Sequence, residues 1–520
     1  MEFKYVPTVC PFCGTGCSFN LVVKDGKVVG TAPFQRSPVC DGKTCQKGHF
    51  AYELVNSPAR LTKPMVKKGD ALVEATWDEA LSAIAAKLGS YKGNDITVVA
   101  SANSTNEDII ALGKFAKDVL KTDNFTSAAA VGVDASAGTI AGIAKADCIV
   151  AVGNIVESHP LVARRIANAK DKGAKVIVID NYASPMAKMA TEFVKAAPGA
   201  EAEAIAQAGA LVSGNNVVVL FGVGVTMAEA AIAKAALALA ESKKAAFCAL
   251  PSQSNGRGAL LLGANACFGA ACSGESKAYY VVGEDIGPLS AEFVVVQDSF
   301  LTSTAKSADV VLPSAVYAEV DGTVTNAERR IQRVRKAQEP SEGVKANWQI
   351  VADVAAKLGA NLGFESAEAI FKSVYSDLSY DAISKDGFLL PEGKANVADA
   401  STSAVAASAE FPFVLATGAT IWHGYGAAGV LSENCKSLIR EVPYIFAKIS
   451  VEDAREYGIL AADFIKVTTE KGELVMPVMI TKDIEKGIVF VPSMSAGGKC
   501  ICMLTDGEKA LPAKIEKVEA

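Results

Sequence analysis

Five of the chain's twelve cysteines fall within its first 45 residues, and their spacing is the strongest chemical signal in the sequence. Cys10, Cys13 and Cys17 form a CxxCxxxC run, and Cys45 follows after twenty-seven intervening residues. Four thiolates at such intervals can wrap a cubane iron-sulfur cluster, with Gly14 and Gly16 letting the backbone approach the sulfurs. Two other readings compete. One is a structural zinc site; the other is buried thiols that only pack, although glycine-flanked CxxC runs seldom arise that way. Cys40 competes with Cys45 for the fourth position.

The rest of the sequence must fold so as to hold that cluster and whatever exchanges electrons with it. A chain of 520 residues predicts three or four domain-sized units at ~150 residues each. Half the residues are apolar, 21% are charged and 43 are glycine, the balance of a globular α/β protein. The net charge of −6 argues against a nucleic-acid-coating role. The start MEFKYVPTVC has no secretory pattern, so a cytoplasmic location is expected, and there thiols stay reduced and do not form a disulfide framework. The apolar stretch from Val217 is interrupted by Thr226, Glu229 and Lys234, which predicts a buried strand followed by a helix and no transmembrane segment.

Residues 1–65 are expected to form a small metal-stapled domain, with Asp25-Gly26 as a two-residue hairpin turn. From Thr76 the runs DITVVA, ADCIVAVG, AKVIVID, VVVLFGVG, AAFCALP, AYYVVG, EFVVVQD and ADVVLP alternate with Ala-rich helical segments. That pattern predicts doubly wound parallel sheets over residues 66–360, ending in a helix over 347–359. Residues 361–410 read as a connector. Residues 411–520, with FIKVTTEKGELVMPVMI and GIVFVPS between Gly turns, predict a β-barrel-like domain.

The stretches CPFCGTGCSFNLVVKDGKVVG and GKTCQKGHFAYELVNSPARLTKPMV resemble the 4Fe-4S domain of the molybdopterin oxidoreductase family, most closely formate dehydrogenase catalytic subunits. The likeness continues through SANSTNED, GNIVESHP, VGED, the run from VVVQDSF to RKAQEP, NWQIVADVAAKLG and the terminal barrel. It implies that Cys10, Cys13, Cys17 and Cys45 bind a 4Fe-4S cluster, with Lys47 between cluster and pterin. It further implies molybdenum or tungsten held by pterin guanine dinucleotides at the carboxyl ends of strands, the usual ligand position in open α/β sheets. The matching positions are Gly153, Asn154, Glu157 and Asp180, then Gly283, Asp285, Gln297, Asp298, Thr302 and Asp309, with Gln253, Thr417, Gly418 and His423.

Departures from the family pattern cluster where substrate chemistry belongs. The metal-ligand and histidine positions align with Gly132 and Val133, neither of which ligates a metal or carries a proton, and Asp134 is displaced by two residues. The active-site arginine position reads Pro251, two residues before the matching Gln253; Arg257 lies four beyond it. Asn181-Tyr182 and Ala419 stand where two phosphate-binding arginines are expected, and Cys502-Met503 replaces an Asn. The chain is also shorter than formate dehydrogenases. The resulting expectation is an iron-sulfur electron-transfer subunit that has lost substrate chemistry and works with redox subunits carrying flavin or iron-sulfur clusters. The alternative is an active formate dehydrogenase or CO2 reductase whose metal has no protein ligand.

Overall fold

All eight apolar runs from DITVVA to ADVVLP form β-strands, and their alternation explains how each sheet is buried on both faces. The computed structural model describes residues 2–127, 133–134, 137–222, 227–266, 276–392, 396–397, 404–424, 426–505 and 510–518. Two units divide the chain. The first comprises Met1–Ala130, Gln253–Pro391 and Gly426–Lys436; the second comprises Val131–Ser252, Glu392–Tyr425 and Ser437–Ala520.

The first unit begins with a three-stranded antiparallel sheet of Lys4–Val9, Ser18–Lys24 and Lys27–Pro33. Asp25 and Gly26 both have positive φ, as the expected two-residue turn requires. An eight-stranded sheet follows, in the order Asn265–Ala266, Phe125–Ser127, Ile96–Ala100, Ala278–Val282, Phe293–Asp298, Val310–Pro313, Met65–Lys68 and Ala71–Glu74. Its first six strands are parallel. Val98, Tyr280 and Val295 point to one face and join Ile84, Leu112, Ile350 and Val354 of the covering helices; Val99, Tyr279, Val281 and Val296 fill the other. Each such side chain, fully buried, stabilises the fold by roughly 1.5–3 kcal/mol.

Part of the segment read as a connector is packed structure. Helix Ala367–Lys372 brings Phe371 together with Ile331, Tyr380 and Ile383, and Phe388–Leu389 pairs with Arg330–Ile331. These apolar residues are spaced too widely among Ser and Asp for composition to reveal them.

The second unit holds a five-stranded, wholly parallel sheet in the order Glu192–Lys195, Lys175–Asp180, Cys148–Val152, Val217–Gly222 and Ala246–Leu250. The Val217 stretch is a strand and then the helix Met227–Ser242, as its polar interruptions predict. No described helix is long and apolar enough to cross a membrane. A closed six-stranded barrel completes the unit, running Phe413–Gly418, Ile488–Pro492, Ala447–Ser450, Glu473–Thr481, Phe464–Thr468 and Ala510–Val518 around Leu415, Ile449, Val467 and Val489.

Candidate functional site

The CxxCxxxC run is the loop between the first two strands. Gly16 N–H donates to Cys13 O at 3.3 Å, closing a turn in which Gly16 has φ +69°. The loop leans on the hairpin formed by Gly322–Thr325 and Arg330–Val334: Asn326 Nδ2 donates to Thr15 O (3.1 Å), Gln332 Nε2 to Gly16 O (2.9 Å) and Ala327 N to Gly14 O (2.8 Å). Cys45 precedes the short helix Gln46–Phe50.

The four thiols gather. Burial pushes the Cys10 thiol well up, with Cys45 and Cys13 adding repulsion; the Cys17 thiol is raised by its hydrogen bond with Cys40 and by burial. Burial also raises Cys45, against the Lys47 charge, which favours its thiolate. Backbone N–H groups of Lys47 and Gly48 reach the Cys45 sulfur, and that of Phe12 reaches Cys10. Such N–H donors suit thiolates, the deprotonated form in which cysteine sulfur binds iron. A cubane asks one thiolate of each of its four irons, and the four cysteines supply one each, so the donor set fits a cluster. Lys47 is only 5% exposed, not the surface lysine its charge would suggest.

A cleft lies against this loop, within the first unit. Its floor is where strand order reverses in the eight-stranded sheet, between Ile96–Ala100 and Ala278–Val282, the position where open α/β sheets take ligands. Ser101, Ser104 and Gly283 line that point; Cys10, Asp298 and Tyr317 line the walls. Gly283 has φ +63°, and a Cβ there would stand 3.3 Å from Ser101 Cβ. Three buried polar atoms of the lining have no protein partner: Asn103 Nδ2, Asp298 Oδ2 and the Tyr317 hydroxyl. Burial raises the Asp298 carboxyl to about 7. The orphaned polar atoms suit a polar ligand.

The five-stranded sheet has the corresponding reversal between Cys148–Val152 and Val217–Gly222. Gly153, with φ +83°, directs its missing Cβ toward Gly222 O. Asn154 Nδ2 donates to Glu157 Oε2 (2.7 Å) and to the Tyr182 hydroxyl (3.0 Å), while its Oδ1 is buried without a partner. Asp180 accepts from Asn181 N at 2.9 Å. The structure therefore brings Gly153, Asn154, Glu157 and Asp180 to one sheet edge.

The molybdopterin oxidoreductase model matches residues 60–357, the molybdopterin oxidoreductase Fe4S4 domain residues 3–57, and the molydopterin dinucleotide binding domain residues 413–515. The chain belongs to the molybdopterin oxidoreductase family. Its cofactors are accordingly a 4Fe-4S cluster and a molybdopterin dinucleotide; the thiol set fits the first, and the orphaned polar atoms of the cleft suit a polar group. It is 33% identical to the F420-dependent formate dehydrogenase 2 subunit alpha of Methanococcus maripaludis, over 94% of each chain, and 33% identical to the corresponding subunit of Methanocaldococcus jannaschii over 95% of each. The first of these comparisons runs over 642 residues, more than the 520 in this chain, so the relative carries segments that this member of the family lacks. The fold is shared with acetylene hydratase from Pelobacter acetylenicus at a TM-score of 0.68 and 15% identity, covering 98% and 100% of the two chains.

Not every family-matched position lies on the first unit's cleft. Gly283 and Asp298 do. Asp285 accepts from Ser303 Oγ, Thr304 N and Thr304 Oγ1, and the Thr302 hydroxyl accepts from Ala305 N at 3.0 Å, so these two cap the helix Ser303–Ser307. The Gln297 side chain is buried against Tyr280 and Asn347. Asp309 departs from the others: it precedes its strand, at the amino edge of the sheet, and accepts from Val294 N at 2.8 Å. Gln253 Nε2 donates to both oxygens of Glu284 (3.0 and 3.3 Å).

In the second unit, Pro251 O is 2.8 Å from His159 Nε2, and Thr417 and Gly418 end the barrel strand that pairs with Val491 and Pro492. His423, buried, has Nε2 2.8 Å from Val442 O. Gly132 lies outside the described residues, and Val133 and Asp134 form a two-residue strand paired with Asn396 and Val397. Sequence reading missed Gly48, where a Cβ would meet Cys10 Sγ at 3.3 Å, and Asn103 and Tyr317, whose orphaned atoms emerge only once three distant segments meet.

Proposed function

We propose that this chain is an iron-sulfur electron-transfer subunit of a larger redox assembly, similar to formate dehydrogenase alpha subunits but without their substrate chemistry. The observation that supports the reading is that Cys10, whose thiol neighbours those of Cys13 and Cys45, also lines the switch-point cleft. Whatever occupies the cleft therefore sits against a cluster ligand. The bound cluster supplies one-electron transfer. The chain's own residues bury the thiols, exclude water from Cys10 and Cys17, and place the Lys47 charge beside Cys10 and Cys45, where it favours added negative charge.

The substrate side lacks the groups that such chemistry needs. Gly132, Val133 and Pro251 offer no ligand, base or carboxylate-binding cation, and Glu284 engages the amide of Gln253. Electrons leaving a single cluster need acceptors, so partner subunits carrying flavin or further clusters are part of the proposal; that relatives are named as alpha subunits supports it. A cytoplasmic assembly is the matching location.

The extended identity to formate dehydrogenase alpha subunits favours a second reading, an active enzyme whose metal has no protein ligand. Elemental analysis of Fe, Mo and W with pterin fluorescence, followed by formate-dependent dye reduction, separates the two. About four Fe per chain without formate-dependent reduction supports the relay. Stoichiometric Mo or W with formate-dependent reduction establishes the enzyme and ends the relay reading.

A further inference from the structure

One chain of buried hydrogen bonds joins the cleft to the cluster loop, all of it within the first unit. At the cleft, residues 253–255 are fastened to the loop that follows strand Ile96–Ala100: Ser254 N donates to Asn103 Oδ1 (2.9 Å) and Asn255 N to Ala102 O (2.7 Å). Asn103, Ser104 and Ser254 line the cleft. Asn255 is fully buried behind them; its Nδ2 donates to Ser104 O at 2.9 Å and its Oδ1 accepts from Thr325 N at 2.6 Å. One amide therefore grips both a cleft wall and the bracing hairpin. The next residue of that hairpin, Asn326, donates to Thr15 O, between Cys13 and Cys17. The Asn255 amide has a single orientation, because a carbonyl on one side only accepts and an N–H on the other only donates. Gly258 leaves it no room to swing, since a Cβ there would collide with the Oδ1 atoms of Asn255 and Asn106.

We propose that Asn255 is a positioning residue that couples the two cofactors: a group seated in the cleft restrains the walls it touches, Asn255 passes that restraint to the hairpin, and the hairpin holds the cluster loop. Asn103, whose Nδ2 has no protein partner, is the cleft residue that such a group would fix, and Ser254 and Asn255 follow it. Ordering one end of a packed polar chain lowers the cost of ordering the other, so a chain loaded with pterin keeps its cluster longer than one without. The hairpin has a second brace that does not reach the cleft. Glu107, outside the cleft lining, accepts from Thr323 N and the Thr323 hydroxyl at 2.8 Å each. The inference is independent of the relay reading, because retention of iron is read whether or not formate is oxidised.

The test uses the full chain, produced anaerobically in hosts with and without molybdopterin synthesis, as wild type, Asn255→Ala, Gly258→Ala and Glu107→Gln. Pterin is counted, and iron release to a ferrous chelator is timed. In the wild type, pterin should slow iron release about fivefold or more. In Asn255→Ala, and in Gly258→Ala, which displaces the same amide from behind, that ratio should fall toward one. Glu107→Gln should speed release from both preparations and leave the ratio unchanged, as loss of a purely structural brace would. Equal release from the two wild-type preparations, which needs no variant to fold, overturns the coupling. A wild-type ratio in Asn255→Ala overturns the role of Asn255.

Discussion

The backbone N–H of Cys10 donates to the carbonyl of Cys17 at 2.8 Å, so the first and third cysteines of the motif close the loop that carries the second. This bond continues the antiparallel ladder one step beyond the Val9 and Ser18 pair. The sulfur spacing is therefore set by strand register. A register slip would turn each strand's side chains to the opposite face, so the buried pattern of Val6, Phe19 and Leu21 also protects the cluster.

Gly16 is where that loop is most exposed to mutation. Its φ of +69° costs other residues about 1–2 kcal/mol, and a Cβ would collide with Gln332 Oε1 and stand 2.6 Å from Asn326 Cβ. Gly16→Ala is expected to lower iron per chain and the thermal midpoint together. Asn326→Ala, which removes the donor to Thr15 O, should do the same, by about 1–3 kcal/mol. Full iron loading and an unchanged melt in Gly16→Ala would contradict the account.

What the sequence made legible follows the range of the forces involved. Cys10, Cys13, Cys17 and the strands from Ile96 to Pro313 were readable because motif spacing and apolar runs are local signals. The burial of Lys47 was not, since a lysine between Gln46 and Gly48 looks solvated from its neighbours in sequence. Asp309 matched the family motif yet sits at the amino edge, because an Asp beside a strand reads alike at either end. Tyr317 and Asn103 come from segments more than two hundred residues apart, and no local pattern links them.

Gly283 offers a way to separate the two cofactors. It stands at the strand reversal with φ +63°, and a larger side chain would press on Ser101 and Ser104. Gly283→Val is expected to lose most of the bound pterin, a tenfold or greater weakening if ~1.4 kcal/mol of fit is lost, while iron per chain stays at the wild-type level. Loss of iron and pterin in parallel would show that the residue supports the whole unit and not the cleft.

Three buried carboxyls give the unliganded protein a pH dependence of definite sign. Burial raises Glu284 to about 8 and Glu107 and Asp298 to about 7, from ordinary values of 4.5, 4.5 and 3.8. The folded state keeps protons that the unfolded state releases, so stability is greatest at the acid end of this window and falls as pH rises from about 4 to about 8, by up to ~1.4 kcal/mol per pH unit for each group. Glu284→Gln removes one contributor. The remaining oxygen can still accept from Gln253 Nε2, and urea melts should show a shallower decline toward pH 8. An unchanged slope would mean that Glu284 does not titrate in this range.

Lys47 tests whether the buried charge serves electron transfer or only packing. Its ammonium favours negative charge on Cys45 and Cys10, and reduction of a cluster adds one electron to that same region. Lys47→Met keeps the length and apolar stem and removes the charge. The reduced state should lose on the order of 1 kcal/mol or more of Coulombic stabilisation at intermediate dielectric, seen as a lower midpoint potential with about four Fe retained. Lys47→Arg, which keeps the charge, should stay near the wild-type value. If the Met variant kept the wild-type potential while losing thermal stability, Lys47 would be a packing element and the electron path from the cleft would run through Cys10 without it.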